Sequence, residues 1–423
     1  MLSPDSPLSP AQKRRSMAWA LAGAPFYGAW WAIALGTTTV LFLNDLGFAK
    51  SQIGFLLGMI PLVGVISPLI APWTTRFGLK RSYITFYGSR KLVIAALVFA
   101  PVVLQSFGTT ATFAFVTVVL IVFSIFRAIA ETAVIPWQQE FIPHNMWGKF
   151  SAASSIAVAL AGMGASALAS RMLDGVTGFG PYQILMCIGA ALGVLHVSAY
   201  LGIAGGRPQQ VHSSHADFRA QMRTALHDPA FLRHMVGLGV ISFIVSAWSI
   251  FLPLYMSEQI GLDSGAVVTL QILTSAGTLL SSYAWGAAAD RIGSKPVLLT
   301  SISIFALLPL GWWWMPRELP AATWIAGALA FLFGIANAAW TIAQNRLLWV
   351  KIIPPAQKTG YNAVYYAWLG VLIGLGPMLI GAALDAARTA LADAYTPVWL
   401  LSITLVAVGL AAFRTAQNDS PSS

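Results

Sequence analysis

Twelve stretches of mostly apolar residues, each near the roughly 20 residues needed to cross a hydrocarbon core of about 30 Å, constrain this chain more than any other feature. They run over residues 18–43, 52–73, 83–105, 110–137, 150–172, 182–203, 234–257, 266–288, 296–315, 321–349, 362–384 and 395–414. In lipid each segment must satisfy its own backbone hydrogen bonds, which a helix does and an isolated strand does not. Strands of a membrane barrel are also about half this length. The fold expected is an all-α membrane protein with twelve transmembrane helices.

Charge supports that reading and gives it a direction. Only 9% of the residues are charged, against about 25% in a soluble domain. The net charge of +10 suggests nucleic acid at first sight, but its distribution does not. With the N-terminus in the cytoplasm and sides alternating, the lysines and arginines gather at the cytoplasmic ends. The exceptions are Lys50, Arg171, Arg317 and Arg388 outside and Arg127 within a span. This positive-inside bias predicts a multi-pass inner-membrane protein with both termini cytoplasmic, embedded in lipid and binding no nucleic acid. Lys13-Arg14-Arg15 precedes the first run as in a secretory signal. That run is longer than a signal core and lacks a small-residue cleavage site, so it is read as the first helix. One cysteine, Cys187, leaves no disulfide or thiolate metal site within one chain, and no phosphate loop, zinc spacing or catalytic triad is visible, so no cofactor and no enzyme activity are expected.

The runs divide six and six. Residues 1–203 are expected to hold one six-helix bundle behind a short disordered tail at 1–15. Residues 204–231 are expected to form a basic cytoplasmic linker, with an amphipathic helix near Phe218–Leu226, and residues 232–423 the second bundle with a polar end at Asn418–Ser423. The halves repeat: Leu46-Gly47 returns as Ile260-Gly261, Arg76-Phe77-Gly78-Leu79-Lys80 as Arg291-Ile292-Gly293-Ser294-Lys295, and Ile142-Pro143 as Ile353-Pro354. One offset of roughly 211–215 residues relates all three, the mark of a duplicated unit whose halves rock about a midplane site.

The second of these turns contains Gly286, Asp290, Arg291, Gly293 and Lys295. The first retains Arg76, Gly78 and Lys80, with Ala71 and Thr75 in place of the glycine and the aspartate. Through this motif and its 6+6 layout, the chain resembles the major facilitator superfamily over nearly its whole length. The resemblance implies two pseudo-symmetric six-helix bundles and a monomeric secondary transporter. Such a protein moves a small molecule by alternating access, as symport or antiport with protons or another ion. It also implies a conformational latch at the motif. Here Arg76 would pair with Glu140, and Lys351, at the equivalent place in the second half, would face Asp290. Independently of the family, Gly78 and Gly293 suit tight turns, and the charges also serve simply to fix topology.

An ionisable residue far from any helix end is a functional candidate in a membrane. Glu131 is such an acid, with Arg127 four residues earlier on the same helix face. A hairpin turning near residue 108 sets Arg90 at the depth of Arg127. The cluster has three readings: Glu131 carries a coupling proton, the surplus positive charge attracts an anionic solute, or the charges bind helices 3 and 4 together with Lys91 snorkelling to the surface. The resemblance implies that helices 1, 4, 7 and 10 line the cavity. That makes Tyr27, Trp30 and Thr38, Ser246 and Trp248, and Asn337, Trp340, Thr341, Gln344 and Asn345 candidate contacts. The helix-10 amides and hydroxyl would form one stripe suited to hydroxyl-bearing ligands, or they hydrogen-bond between helices. His196 is expected to be a satisfied core residue. Gly370, Gly374, Gly376, Pro377 and Gly381 on helix 11 are expected to serve close packing. Import of a polar or anionic nutrient fits this set. Drug or metabolite efflux and a non-transporting receptor on the same scaffold are the alternatives.

Overall fold

A computed structural model describes residues 8–143, 146–175, 178–208, 215–317, 320–354, 358–391 and 393–414. The chain is built from helices that follow one another with short turns. Ten segments are long and apolar enough to cross a membrane. The longest of them, Leu79–Phe141, is two spans: Gly108 leaves helical geometry (φ 77°, ψ 179°), and Arg90 before it lies against Glu131 after it. Lys50–Val63, Gly64–Ile66 and Ser67–Phe77 run on without a gap as one further span.

Twelve spans result among the described residues, as the sequence predicts. Spans 1 to 6 are Pro10–Asp45, 50–77, 79–107, 109–141, Trp147–Leu173 and Gly180–Leu201. Spans 7 to 12 are Pro229–Glu258, Ser264–Ile292, Ser294–Trp313, Pro320–Arg346, Lys358–Ala390 and Thr396–Arg414. A linker helix occupies His215–His227, longer than the stretch expected at Phe218–Leu226.

Several boundaries have local causes. Ser9 and Gln12 form a capping box and Pro10 takes the first helical position, where its missing N–H costs nothing. Span 1 therefore starts at Pro10, inside the stretch 1–15 expected to be a disordered tail; residues 1–7 and 415–423 lie outside the described residues. Asp228 and Asp263 cap spans 7 and 8 by accepting from backbone N–H groups. Gly78 (φ 104°) and Gly293 (φ 87°) take a left-handed conformation that a side chain would strain, so both motif turns need glycine.

The chain forms two compact units. The first comprises Met1–Phe42 and Val63–His212, the second Leu43–Leu62 and Ser213–Ser423. Residues 43–62 thus group with the later half of the chain, and the remaining division falls inside the linker. In the first unit, span 1 packs on spans 5 and 6, and span 4 receives the Ser67–Phe77 part of span 2 and span 3. Tyr83, Tyr87, Trp137, Phe141 and Tyr200 form a buried aromatic cluster where the start of span 3 meets the ends of spans 4 and 6. In the second, span 8 packs on span 10, span 9 on spans 10 and 12, span 7 on spans 11 and 12, and the linker helix on span 11. Trp248, Trp312 and Trp399 are buried in it and meet edge-on or tilted.

Helices approach closely where glycine leaves room. A Cβ on Gly277 would collide with the Phe331 carbonyl and one on Gly334 with the Thr274 carbonyl, so spans 8 and 10 are in reciprocal backbone contact. Span 11 uses its glycines in the same way: Gly374 lies against the Gly58 carbonyl, Gly376 against that of Phe243 and Gly381 against that of Lys50. Gly277→Leu is therefore expected to destabilise the purified protein by ~2 kcal/mol or more. Gly64, which has open space around a Cβ, should accept alanine within about 1 kcal/mol. Paired thermal-unfolding curves in one detergent check both.

Candidate functional site

Span 3 is not a uniform helix. A π-helical turn over Tyr83–Tyr87 precedes the regular helix Gly88–Ala95, and such turns re-aim the side chains beyond them. Arg90 and Lys91 come next, separated by about 100° around the axis. Both are fully buried. The Arg90 guanidinium lies 3.8 Å from the Tyr87 ring centre, with Trp30 and Phe123 within 5.4 Å. Lys91 Nζ stands 2.8 Å from the Trp30 ring centre and near Tyr87 and Tyr27. Both cations thus rest on π faces.

The expected trio meets. Arg127 Nε donates to Glu131 Oε1 at 2.8 Å, and Arg90 Nη1 reaches the same oxygen at 3.4 Å. The three differ in exposure: the Arg90 side chain is 1% exposed, that of Arg127 26% and that of Glu131 43%. The carboxylate is the open member and Arg90 the sealed one. Arg90 Nε and Nη2 and Lys91 Nζ are buried without a hydrogen-bond partner among the described residues.

Lys91 does not snorkel. Span 3 begins at Leu79, so Lys91 lies roughly 18 Å along it at 1.5 Å per residue, too deep for its side chain to reach a surface. Beneath these cations is His196, buried among Tyr27, Tyr87 and Tyr200. Its Nδ1 lies 3.0 Å from the Gly23 carbonyl, which only accepts, so Nδ1 carries the proton and Nε2 accepts from Tyr83 Oη at 3.1 Å. His196 is a satisfied core residue.

The remaining cavity candidates divide by burial. Tyr27 is half-buried beside the cluster, whereas Trp30 is fully buried and serves as the floor under Lys91. Trp248 is buried in the second unit and donates to Ser402 Oγ at 3.0 Å. Trp340 is buried against Phe305 and Phe413. These three tryptophans are core residues rather than open platforms. On span 10, Thr341 is exposed, Asn337 and Asn345 are half-buried and Gln344 is buried, donating to Asn345 Oδ1 at 2.8 Å. The four polar residues share one helix face by spacing but differ in burial along it.

The expected latch takes another form. Arg76 is exposed and makes no ion pair with Glu140. Lys80 instead caps the end of span 6, donating to the Leu201 and Ile203 carbonyls at 2.8 and 2.6 Å. Glu140 accepts the Gly206 N–H at 2.7 Å, and Trp137 donates to the Ala204 carbonyl at 3.0 Å. The first motif turn is thus knotted to the chain after span 6 through backbone groups. In the second unit, Asp290 faces Arg346 at 3.6 Å, in place of Lys351, whose side chain lies outside the described residues. Gly286 has open space around it, and Arg291 is exposed.

One polar centre escaped the sequence reading. Lys50, expected on the outer surface, is buried in the second unit. Its ammonium pairs with Glu258 and donates to Asn44 Oδ1 at 2.6 Å. The backbone N–H groups of Lys50 and Ser51, at the start of span 2, both donate to Asp385, at 3.0 and 2.7 Å. A carboxylate at a helix N-terminus satisfies free donors and opposes the helix dipole. Tyr395 Oη donates to the other Glu258 oxygen at 3.3 Å. Each partner is far from Lys50 in sequence except Asn44, so no local spacing marks the centre.

The sequence of residues 235–423 matches the Major Facilitator Superfamily model. No curated protein matches the chain in sequence. Solved structures resemble it over nearly its full length. A point mutant of the nucleoside transporter NupG is 16% identical with a TM-score of 0.70, covering 96% of this chain and 99% of that one. A D-xylose–proton symporter is 15% identical with a TM-score of 0.69, covering 96% and 97%. A bacterial homologue of the iron transporter ferroportin, in an inward-facing state, is 12% identical with a TM-score of 0.69, covering 96% and 99%.

Removing one partner of a buried ion pair strands the other. Lys50→Met is therefore expected to cost about 3 kcal/mol, and Lys50→Met with Glu258→Gln to recover most of that loss. Thermal unfolding of the single and double variants in detergent measures the recovery. Equal destabilisation by both would show that the pair contributes nothing.

Proposed function

We propose that the chain, whose residues 235–423 match the Major Facilitator Superfamily model and whose fold resembles solved transporters over nearly its whole length, is a secondary active transporter that moves a small polar or anionic solute by alternating access, coupled to protons. The observation that carries the coupling is Glu131, a half-exposed carboxylate inside an apolar span, held between Arg127 and Arg90. An acid at such depth is costly and is kept for a purpose. Protonation would remove its hold on both arginines at once, which gives a chemical link between a proton and the local arrangement of spans 3 and 4. The half-buried amides Asn337 and Asn345 offer hydrogen-bonding groups for a hydroxyl-bearing solute. The nucleoside transporter and the D-xylose–proton symporter that share the fold fit a polar cargo.

The charge distribution supports an inner-membrane location with both termini cytoplasmic. Import is favoured over drug or metabolite antiport: Pro377 and the span-11 glycines pack against neighbouring backbone, which explains them without an export role.

The test is uptake into proteoliposomes of labelled uridine, D-xylose and gluconate, with and without an inward proton gradient. At least one should accumulate only with the gradient. Glu131→Gln should reduce that accumulation to the level seen without a gradient, while exchange of solute across the membrane continues. Accumulation of none of these solutes would sink the transport reading. Unchanged gradient-driven accumulation in Glu131→Gln would remove Glu131 from coupling.

A further inference from the structure

The cluster at spans 3 and 4 holds more positive charge than its one acid balances. Arg90 from span 3 and Arg127 from span 4 share Glu131 as their one carboxylate partner among the described residues. Tyr27 and Trp30 from span 1, Tyr87 from span 3, Phe123 from span 4 and His196 from span 6 complete the surroundings. None of these supplies a second carboxylate. Aromatic faces attract the cations but carry no compensating charge. Uncompensated cations in a low-dielectric interior are costly, so the arrangement is complete only with a further anion.

The geometry shows where an anion would go. Both arginines contact one oxygen, Glu131 Oε1. Arg90 is buried and flanked by Tyr87, Trp30 and Phe123, and its side-chain hydrogen bond among the described residues goes to the Glu131 carboxylate. Glu131 is itself the most exposed of the three. A carboxylate arriving from that open side would meet Arg127 first and Arg90 behind it, in the fork where planar oxyanions bind two guanidinium groups.

We propose that the transported solute is an organic carboxylate that displaces Glu131 from the fork of Arg127 and Arg90, and that Glu131 takes a proton from solution as it leaves. Glu131 is then a stand-in for the solute's own carboxylate, and proton and solute enter together because each releases the other from competition. No covalent bond changes in the solute: one carboxylate replaces another on the arginines, and one proton moves from water to the displaced Glu131. Lys91 does not touch the solute. It is a positioning residue packed on Trp30 and Tyr87 beside Arg90. This assignment rests on the transporter reading above, with the Glu131 face as the side from which solute arrives.

The experiment uses the full chain in lipid nanodiscs and isothermal titration at matched ionic strength. The probes are gluconate and succinate, with the neutral compounds sorbitol, D-xylose and uridine as counterparts. Gluconate or succinate should bind and sorbitol should not, and binding in two buffers of different ionisation enthalpy should show uptake of about one proton per anion. In Glu131→Gln the anion should bind about tenfold more tightly, since a charged competitor is lost, and without proton uptake. Arg127→Gln, at a partly exposed position, should abolish binding while the protein remains folded by its unfolding curve. A merely structural Arg127–Glu131 pair would not give these opposite changes. Binding of sorbitol, D-xylose or uridine with no anion binding overturns the inference and leaves the transport reading standing. Anion binding without proton uptake, or unchanged by Arg127→Gln, overturns it as well. Anion binding as described but no accumulation in proteoliposomes would overturn the transport reading alone.

Discussion

Charge inside an apolar bundle must be met by charge, by backbone or by an aromatic face, because water is not there to do it. This chain meets the requirement in three ways. Glu131 is shared by two arginines. Lys50 is enclosed by Glu258 and Asn44, while Asp385 takes the N–H groups at the head of the same helix. Lys80 and one Glu140 oxygen are met by main chain around residues 201–206. Lys91, in contrast, has only rings. The fork around Glu131 differs from the other two centres in setting two arginines against one carboxylate.

The two motif turns share a sequence pattern but are held differently. Both keep a left-handed glycine, at Gly78 and Gly293, because the geometry of a tight turn between antiparallel helices leaves no choice. The charged positions differ. Where the first copy has Thr75 in place of an acid, its lysine turns to helix-end carbonyls, which are the other natural acceptors for an ammonium. The second copy keeps Asp290, which faces Arg346 from span 10. Both turns keep the glycine that the backbone requires and differ in side-chain partner, since an ammonium donates to any oxygen within reach.

The span pattern was legible in the sequence because length and apolarity are imposed by the bilayer on every segment separately. The Arg90–Arg127–Glu131 meeting was legible for a related reason: an i, i+4 pair is local, and a hairpin about Gly108 fixes which residues share a depth. The assignment of faces failed. Trp30, Trp248 and Trp340 were at a suitable depth yet point into the core, and in spans that are apolar all round no polar face marks which side is open. Depth itself slipped at Lys91, because the helix of span 3 starts at Leu79, before the apolar run at residue 83, and the π turn at Tyr83–Tyr87 re-aims the side chains beyond it.

The Lys50 centre shows a different limit. Lysine near a span end reads as surface-seeking, and in isolation it would be. Its burial is stable only through Glu258, Asp385 and Tyr395, which approach from spans 7 and 11 and the start of span 12. Those partners lie hundreds of residues away in sequence, so no window of the chain contains the interaction. The same long-range pairing explains why residues 43–62 group with the second unit although the repeat assigns them to the first half. A segment owned by one half in sequence and by the other in contacts is held there by the least local interactions in the molecule. Its grouping therefore depends on the Lys50 pair and the Asp385 cap, together with the Gly54, Gly58 and Gly381 contacts, rather than on chain connectivity.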